Sequence, residues 1–445
     1  MNAILHPQLW PDTATIDPQG HLTIGGCDTV ALVHAYGTPL YLLDEATFRA
    51  GCRAYRRAFQ RRYRGPSAIH YASKALLNLA VAQIVAEEGL GLDVVSGGEQ
   101  HVAMQAGFPA ERMHMHGNAK SRVELEQALM AGVGRVVVDN LDELDLLAQL
   151  VEHHAAPTAI MLRLSPGITV DTHSYIETGS AVSKFGLPLD ALDAAAARIR
   201  ATPGLRLTGL HVHLGSQIFD YAPLQRAIGV LLDSAAQLRD RHGIVVDEVS
   251  PGGGLGVPYT AEQSAPDLDA YATAVGDALA AGCAARGLPL LRLVIEPGRS
   301  LIARAGVALY AVVASKQLPL ADELSAARYL HVDGGMADNI RPALYGARYT
   351  ALLANHAAAP STEIVHVAGR FCESGDVLLR NIALPRAAPG DLLAVAVAGA
   401  YTLSMASSYN LVPRPPMLLV GGERARLIQR GETYADLVAR DVPLP

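Results

Sequence analysis

The chain has 445 residues, half of them apolar, which supplies ample material for a buried core and excludes disorder as its main state. Lys plus Arg number 36 and Asp plus Glu 43, so the net charge is −7 and nucleic-acid binding through a cationic surface is disfavoured. The length suits two domains, or one large barrel with an attachment.

The N-terminal stretch has no cationic start followed by an apolar run, so it does not read as a secretory signal. Apolar runs such as Ala305–Ala314 are half the ~20 residues that a membrane span needs. Cys27, Cys52, Cys283 and Cys372 are widely spaced with no CxxC pair, which argues against a zinc site and against a disulfide scaffold. Free thiols suit a reducing compartment, and a soluble cytoplasmic protein is expected. Arg53, Arg56, Arg57, Arg61, Arg62 and Arg64 follow helical spacing. They read as a solvated helix face, with an anion or partner patch as the alternative.

Short β-branched or apolar runs then recur, each followed by polar or glycine residues and an Ala/Leu-rich helical stretch. The runs are Ala68–Ser73, Gly91–Ser96, Met113–Gly117, Arg135–Asn140, Ala159–Leu164, Leu207–Leu214, Val245–Ser250 and Leu291–Glu296, and the first five begin 22 to 24 residues apart. That spacing is a strand plus a crossover helix, as in Ala75–Glu88 and Ser121–Ala131. Eight such units in succession predict a parallel (β/α)8 barrel over residues 46–300. Beyond Arg299 strand-like runs continue without long helices: Val307–Val313, Tyr329–Val332, Glu363–Val367, Asp391–Val397 and Met417–Val420. Residues 301–445 therefore read as an all-β domain, which the short strands Leu22–Ile24 and Leu40–Leu43 of residues 1–45 are expected to join.

In such barrels chemistry gathers where strands end. The first strand delivers Lys74, whose amine becomes a usable Schiff-base nucleophile if burial lowers its pKa. The second and third deliver Ser96-Gly97-Gly98-Glu99 and Gly117-Asn118-Ala119-Lys120. The fifth carries Arg163, then a loop with His173, Lys184 and Gly186; the sixth ends in His211-Val212-His213 and Gly215-Ser216. The seventh runs into Gly252-Gly253-Gly254, a turn whose backbone amides can converge on an anion and which is expected to open a helix. It matches neither GxGxxG nor a P-loop. Gly298-Arg299, one strand away, offers a second phosphate contact. Glu296 can hold a ring nitrogen protonated, and His213 can stack on a flat ring. A lysine amine, a phosphate cradle, a stacking imidazole and a ring-facing carboxylate together describe a site for pyridoxal 5'-phosphate, an electron sink for a carbanion at an amino acid's Cα.

The segments Tyr71–Ala75, Asp93–Glu99, His116–Ser121, Lys184–Gly186, His213–Gln217, Glu296–Arg299, Arg341–Tyr345, Cys372–Asp376 and Gly399–Tyr401 resemble, in order and over nearly the whole chain, the diaminopimelate decarboxylases. These belong to the wider group of alanine-racemase-fold, pyridoxal-phosphate-dependent decarboxylases. The resemblance implies an alanine-racemase-like barrel plus a C-terminal all-β domain, and conversion of meso-2,6-diaminopimelate to L-lysine and carbon dioxide at the end of lysine biosynthesis. It implies that Lys74 carries the cofactor, that His213 stacks on its ring, and that Glu296 contacts the ring nitrogen. Ser216, Gly253, Gly254, Gly298, Arg299 and Tyr401 would hold the cofactor, mainly at its phosphate. Arg299, Arg341, Tyr345, Glu373 and Tyr401 would position substrate, and Cys372 would protonate Cα after carbon dioxide leaves. It further implies a homodimer with shared active sites, the Cys372-Glu373 segment serving the partner subunit. The substrate's distal end needs a cation for its carboxylate and an anion for its ammonium, and Arg341 and Glu373 are the matching types.

Two departures stand out. Ser250-Pro251 precedes the glycines where relatives more often carry an acidic or amide residue and then an apolar one, and Leu76-Leu77 separate Lys74-Ala75 from Asn78. The competing readings are a sister decarboxylase for ornithine, arginine or a carrier-linked substrate, a non-catalytic cofactor carrier, and a racemase. The long β domain with Cys372 speaks against the carrier. The Cys372-Glu373 pair fits protonation after decarboxylation better than racemisation.

Overall fold

The computed structural model describes residues 5–152, 157–169, 179, 183–317 and 328–445. Contacts divide the chain into two compact units, one of residues 52–256 and 266–298, the other of residues 1–51, 257–265 and 299–445.

The first unit is a closed parallel barrel of eight strands. They are β1 (Ser67–Ala72), β2 (Gly91–Val94), β3 (Met113–Met115), β4 (Arg135–Val138), β5 (Thr158–Ser165), β6 (Leu205–His211), β7 (Glu248–Ser250) and β8 (Arg292–Ile295). β8 pairs with β1, Leu293 opposite Ser67, and β4 pairs with β5, Val136 opposite Ile160, which closes the ring. Each expected run holds a strand, displaced by a few residues at its ends.

The helices between strands start where short polar side chains can accept an orphan amide. Asn78 caps Leu79–Glu87, Ser96 caps Gly97–Gln105, Asn140 caps Leu141–Val151, and Ser121 with Glu124 forms a capping box on Arg122–Ala131. The helix after β1 thus begins four residues later than the apolar pattern suggests, because Ser73–Ala75 forms a separate 3-10 turn. Gly132 and Gly243 end two helices in the left-handed conformation that favours glycine.

A correction concerns the glycine run: Gly252–Gly254 opens no helix, and the next one begins at Leu268. The chain instead pairs with the loop after β6, Ile218 N–H donating to Gly254 O (2.9 Å) and Gly256 N–H to Ile218 O (3.0 Å). Pro258 and Pro266 interrupt the stretch that a helix would need. The turn therefore has only its own amides, with no helix dipole behind them.

The second unit is built on a sheet ordered Val377–Leu384, Glu363–Ala368, Arg328–Val332, Gly306–Gln317, Leu40–Asp44, Met417–Gly421, Arg424–Gln429. Leu40–Asp44 lies antiparallel to Gly306–Gln317, Leu42 opposite Val307, and parallel to Met417–Gly421. Two of these strands escape the sequence reading. Arg424–Gln429 is a polar, largely exposed edge, and Val377–Leu384 is broken by Asn381 at φ +50°.

Behind this sheet Asp338 is fully enclosed, accepting from Tyr41 Oη (2.9 Å), Tyr310 Oη and the Gly335 amide (2.8 Å). Burial outweighs these donors and pushes its carboxyl up to about 6, from an ordinary value of 3.8. The unfolded chain releases this proton near pH 4 and the folded chain near pH 6. The folded state's advantage is thus complete below pH 4 and declines by about 3 kcal/mol as pH rises through 6. Asp338→Asn is expected to flatten that segment, read as denaturation midpoints at pH 4 and pH 6.5.

Candidate active site

Within the barrel unit, β1 ends in the turn that bears Lys74. Ala72 N–H donates to Pro297 O (3.1 Å) and Tyr71 Oη to Leu76 O (2.8 Å), so the turn is tied to the end of β8 and to itself. Gly298 packs closely on this turn, since a Cβ there would lie 3.2 Å from Ala72 Cβ and 3.3 Å from Ala75 Cβ. Lys74 is exposed, not buried as the nucleophile argument assumed. It stands on the open rim, where an amine reaches an incoming carbonyl. Its charge is felt by His213, which burial first, and then Lys74 and Arg163, hold well below the usual histidine range. His213 is therefore a neutral, flat, half-buried ring. Of the other expected rim residues, Lys120 turns inward to Glu143 (2.7 Å), and His173 lies outside the described residues.

Glu296 is the centre of the rim. Ser250 Oγ donates to its Oε1 (2.7 Å) and His211 Nε2 lies 2.9 Å from its Oε2. Burial opposes ionisation, but the neighbouring His211 and His116 prevail and bring the carboxyl down to about 2. His116 in turn lies 3.5 Å from Asp93, whose carboxyl is held below its usual range despite burial by His116 and His70.

The glycine turn is assembled on the same residues. Gly252 N–H donates to Ser250 Oγ (3.0 Å), Gly253 N–H to His213 Nδ1 (3.4 Å), and Glu296 N–H to Gly252 O (3.0 Å). A Cβ on Gly253 would stand 2.0 Å from Glu296 O, and one on Gly254 2.4 Å from Gly215 O. Only glycine fits, and Gly254 at φ +104° also needs its conformational freedom. This packing brings the Gly215-Ser216 loop against the turn. The barrel unit thus gathers Lys74, His213, Ser216, Gly253, Gly254, Glu296 and Gly298. Ser250 and His211 contact Glu296, which the sequence reading did not foresee; their proximity depends on strand register that linear spacing does not show.

The β unit holds a second cluster. Arg299 Nη1 donates to Tyr259 Oη (2.7 Å) and its guanidinium lies 4.6 Å from the Tyr401 ring centre. Arg341 Nη1 donates to Tyr349 Oη (2.6 Å), and its guanidinium sits 4.6 Å over the Tyr259 ring. Burial raises the Tyr259 hydroxyl, but the two arginines overcome this and hold it below the usual tyrosine value. Arg341 is 5% exposed, its Nε has no hydrogen-bond partner, and among the described residues no carboxylate pairs with it. Tyr259 and Tyr349 were missed, for nothing near them marks a site in sequence. Tyr345 is half-buried at the end of the Arg341–Tyr345 helix. Cys372 and Glu373 lie exposed on a bend, Cys372 N–H donating to Asn410 Oδ1 (3.2 Å) and Glu373 Oε1 accepting from Tyr409 Oη (2.7 Å).

Residues 45–303 match the family described as pyridoxal-dependent decarboxylase, pyridoxal binding domain. A Synechocystis protein named diaminopimelate decarboxylase is 44% identical, covering 97% of this chain and 92% of that relative. The chain belongs to the diaminopimelate decarboxylase family. A Bacillus subtilis diaminopimelate decarboxylase is 42% identical with 97% of each chain covered. The solved diaminopimelate decarboxylase of M. jannaschii, in co-complex with L-lysine, superposes with a TM-score of 0.89 at 32% identity over 98% of both chains.

The cofactor of a diaminopimelate decarboxylase is pyridoxal phosphate, and the residues present fit it. An ionised, doubly supported carboxylate suits a protonated ring nitrogen. A turn with no side chain of its own at Gly253 and Gly254 lets the backbone approach a phosphate closely. Gly253→Ala is expected to push the turn off the Glu296 carbonyl and abolish cofactor retention, measured as bound pyridoxal phosphate after gel filtration. Loss of less than half would contradict this account of the turn.

Proposed function

We propose that this chain decarboxylates meso-2,6-diaminopimelate to L-lysine and carbon dioxide, the last step of lysine biosynthesis. The observation that carries this reading is Arg341: a buried guanidinium with a free Nε and no carboxylate of its own among the described residues. A ligand with a second carboxylate satisfies it, whereas an ornithine-like substrate leaves it bare.

Bound at the barrel rim, pyridoxal phosphate supplies the electron sink for the carbanion left when carbon dioxide departs. Lys74 is the residue that would hold the cofactor's aldehyde carbon. Glu296 would keep the ring nitrogen protonated, and His213, its imidazole held neutral by burial, would stack on the ring. Gly253, Gly254, Ser216 and Gly298 would hold the phosphate, with Arg299 and Tyr401 completing the set. Arg299 and Arg341 take the distal carboxylate, and Glu373 takes the distal ammonium. Tyr345 and Tyr401 fix the substrate's orientation. Cys372 delivers the proton to Cα, for which its exposed thiol is available.

The exposure of Cys372 and Glu373 supports the further reading that they serve a partner subunit in a homodimer with shared active sites. All four cysteines are free, which suits the cytoplasm. Among the described residues no helix is long and apolar enough to cross a membrane.

Carbon dioxide release across diaminopimelate, ornithine, arginine and lysine tests the substrate; comparable turnover of ornithine would overturn the assignment. Arg341→Ala is expected to lower kcat/KM for diaminopimelate about 10- to 100-fold, the loss of charge-assisted hydrogen bonds, with cofactor content unchanged. Lys74→Ala is expected to abolish the covalent adduct that borohydride reduction fixes on the protein. An adduct persisting in that variant, read by mass spectrometry, would move the role to another lysine.

A further inference from the structure

The strands of the barrel have two ends, and the decarboxylase chemistry occupies one. At the other, a cavity of about 340 Å3 opens among the starts of β1, β2, β3, β4 and β8. That volume lies at the lower end of small-molecule sites, which run from about 300 Å3 upward. Its charged lining is Arg56, Arg112, Arg135 and Arg292 against a single acid, Glu111.

The four arginines differ in how they are held. Arg135 donates to Glu248 (2.5 Å) and to Gly134 O (2.6 Å), and Arg292 is 4.0 Å from the same glutamate. Arg56 and Arg112 have no carboxylate within ion-pair distance among the described residues. Arg56 donates to the Glu88 backbone carbonyl (2.6 Å), while the Glu88 carboxylate is taken by Arg53 (2.7 Å). Arg112 donates to the carbonyls of Ala86 (3.2 Å) and Leu90. These bonds fix two guanidiniums in place without a carboxylate in direct contact, Glu111 acting on Arg112 only at longer range. Burial first, and then Arg56, depress the Arg112 pKa, Glu111 opposing. His70 and His114 line the same cavity and are buried, their ring centres 3.9 Å apart.

Arginine forks held by carbonyls around a concave space match an oxyanion, which they grip in bidentate fashion. Clustered like charge in a cleft raises the local concentration of such ligands. We propose that this cavity is a binding site for a small ligand bearing phosphate or several carboxylates, at the barrel end remote from Lys74 and Glu296. It accounts for Arg56 of the helical arginine run, whose neighbours Arg61 and Arg62 pair with Asp269. The site stands independently of the catalytic reading.

The test is isothermal titration of the full chain, loaded with pyridoxal phosphate, with inorganic phosphate and, in a second arm, with citrate. Arg56→Glu and Arg292→Glu, both exposed at the lip, are expected to weaken binding at least about tenfold each. Arg57→Glu, on the same helix but outside the lining, is expected to leave it within about twofold. A stronger phosphate signal assigns the ligand as a phosphate ester, and a stronger citrate signal as a polycarboxylate. Absence of saturable binding of either probe at 10 mM overturns the proposal, as does equal loss in all three variants, which marks diffuse attraction to a basic surface.

Discussion

The barrel rim depends on one buried carboxylate. Glu296 receives Ser250 Oγ on one oxygen and faces His211 on the other, while its own amide and carbonyl hold Gly252 and confine Gly253. Pro297 O then fixes the end of β1, beside Lys74. The buried carboxylate, the glycine turn and the Lys74 turn thus take their places from two consecutive residues just past β8, Glu296 and Pro297. An isolated buried charge is costly, and removing one partner of such a set costs about 3–5 kcal/mol. The supports of Glu296 are therefore structural as well as chemical.

Ser250 shows how a local departure is accommodated. A proline at 251 removes one backbone donor before the glycines, and the serine hydroxyl accepts from the Gly252 amide instead. One side chain both shapes the turn and supports the carboxylate. A carboxylate at this place could not do both, since it cannot donate to Glu296 unless it is protonated.

Much of this architecture is legible in the sequence because parallel strands buried on both faces read as apolar runs and caps as short polar residues before helices. Gly253, Glu296 and Lys74 stand out for the same reason: they interrupt apolar runs at strand ends. The illegible part is long-range. The contact of Ser250 with Glu296 spans 46 positions and that of Tyr41 with Asp338 spans 297. The Arg341 environment arises from Tyr259 and Tyr349, which belong to different segments of the chain. The helix expected after Gly254 fails for a local reason: backbone pairing with Ile218 takes the Gly254 carbonyl, which would have accepted the first helical bond, and extends the chain through Gly256. Edge strands were overlooked because their polar faces lack the alternation that marks a half-buried strand.

Each barrel strand is three to eight residues long, so its two ends present different side chains joined by a rigid segment. His70 and Lys74 are four residues apart, yet one lines the basic cavity and the other stands exposed just past the strand's opposite end. Arg292 and Glu296 repeat that arrangement on the last strand. Mutational drift at strand beginnings can thus remodel one mouth of the cylinder while leaving the opposite mouth intact.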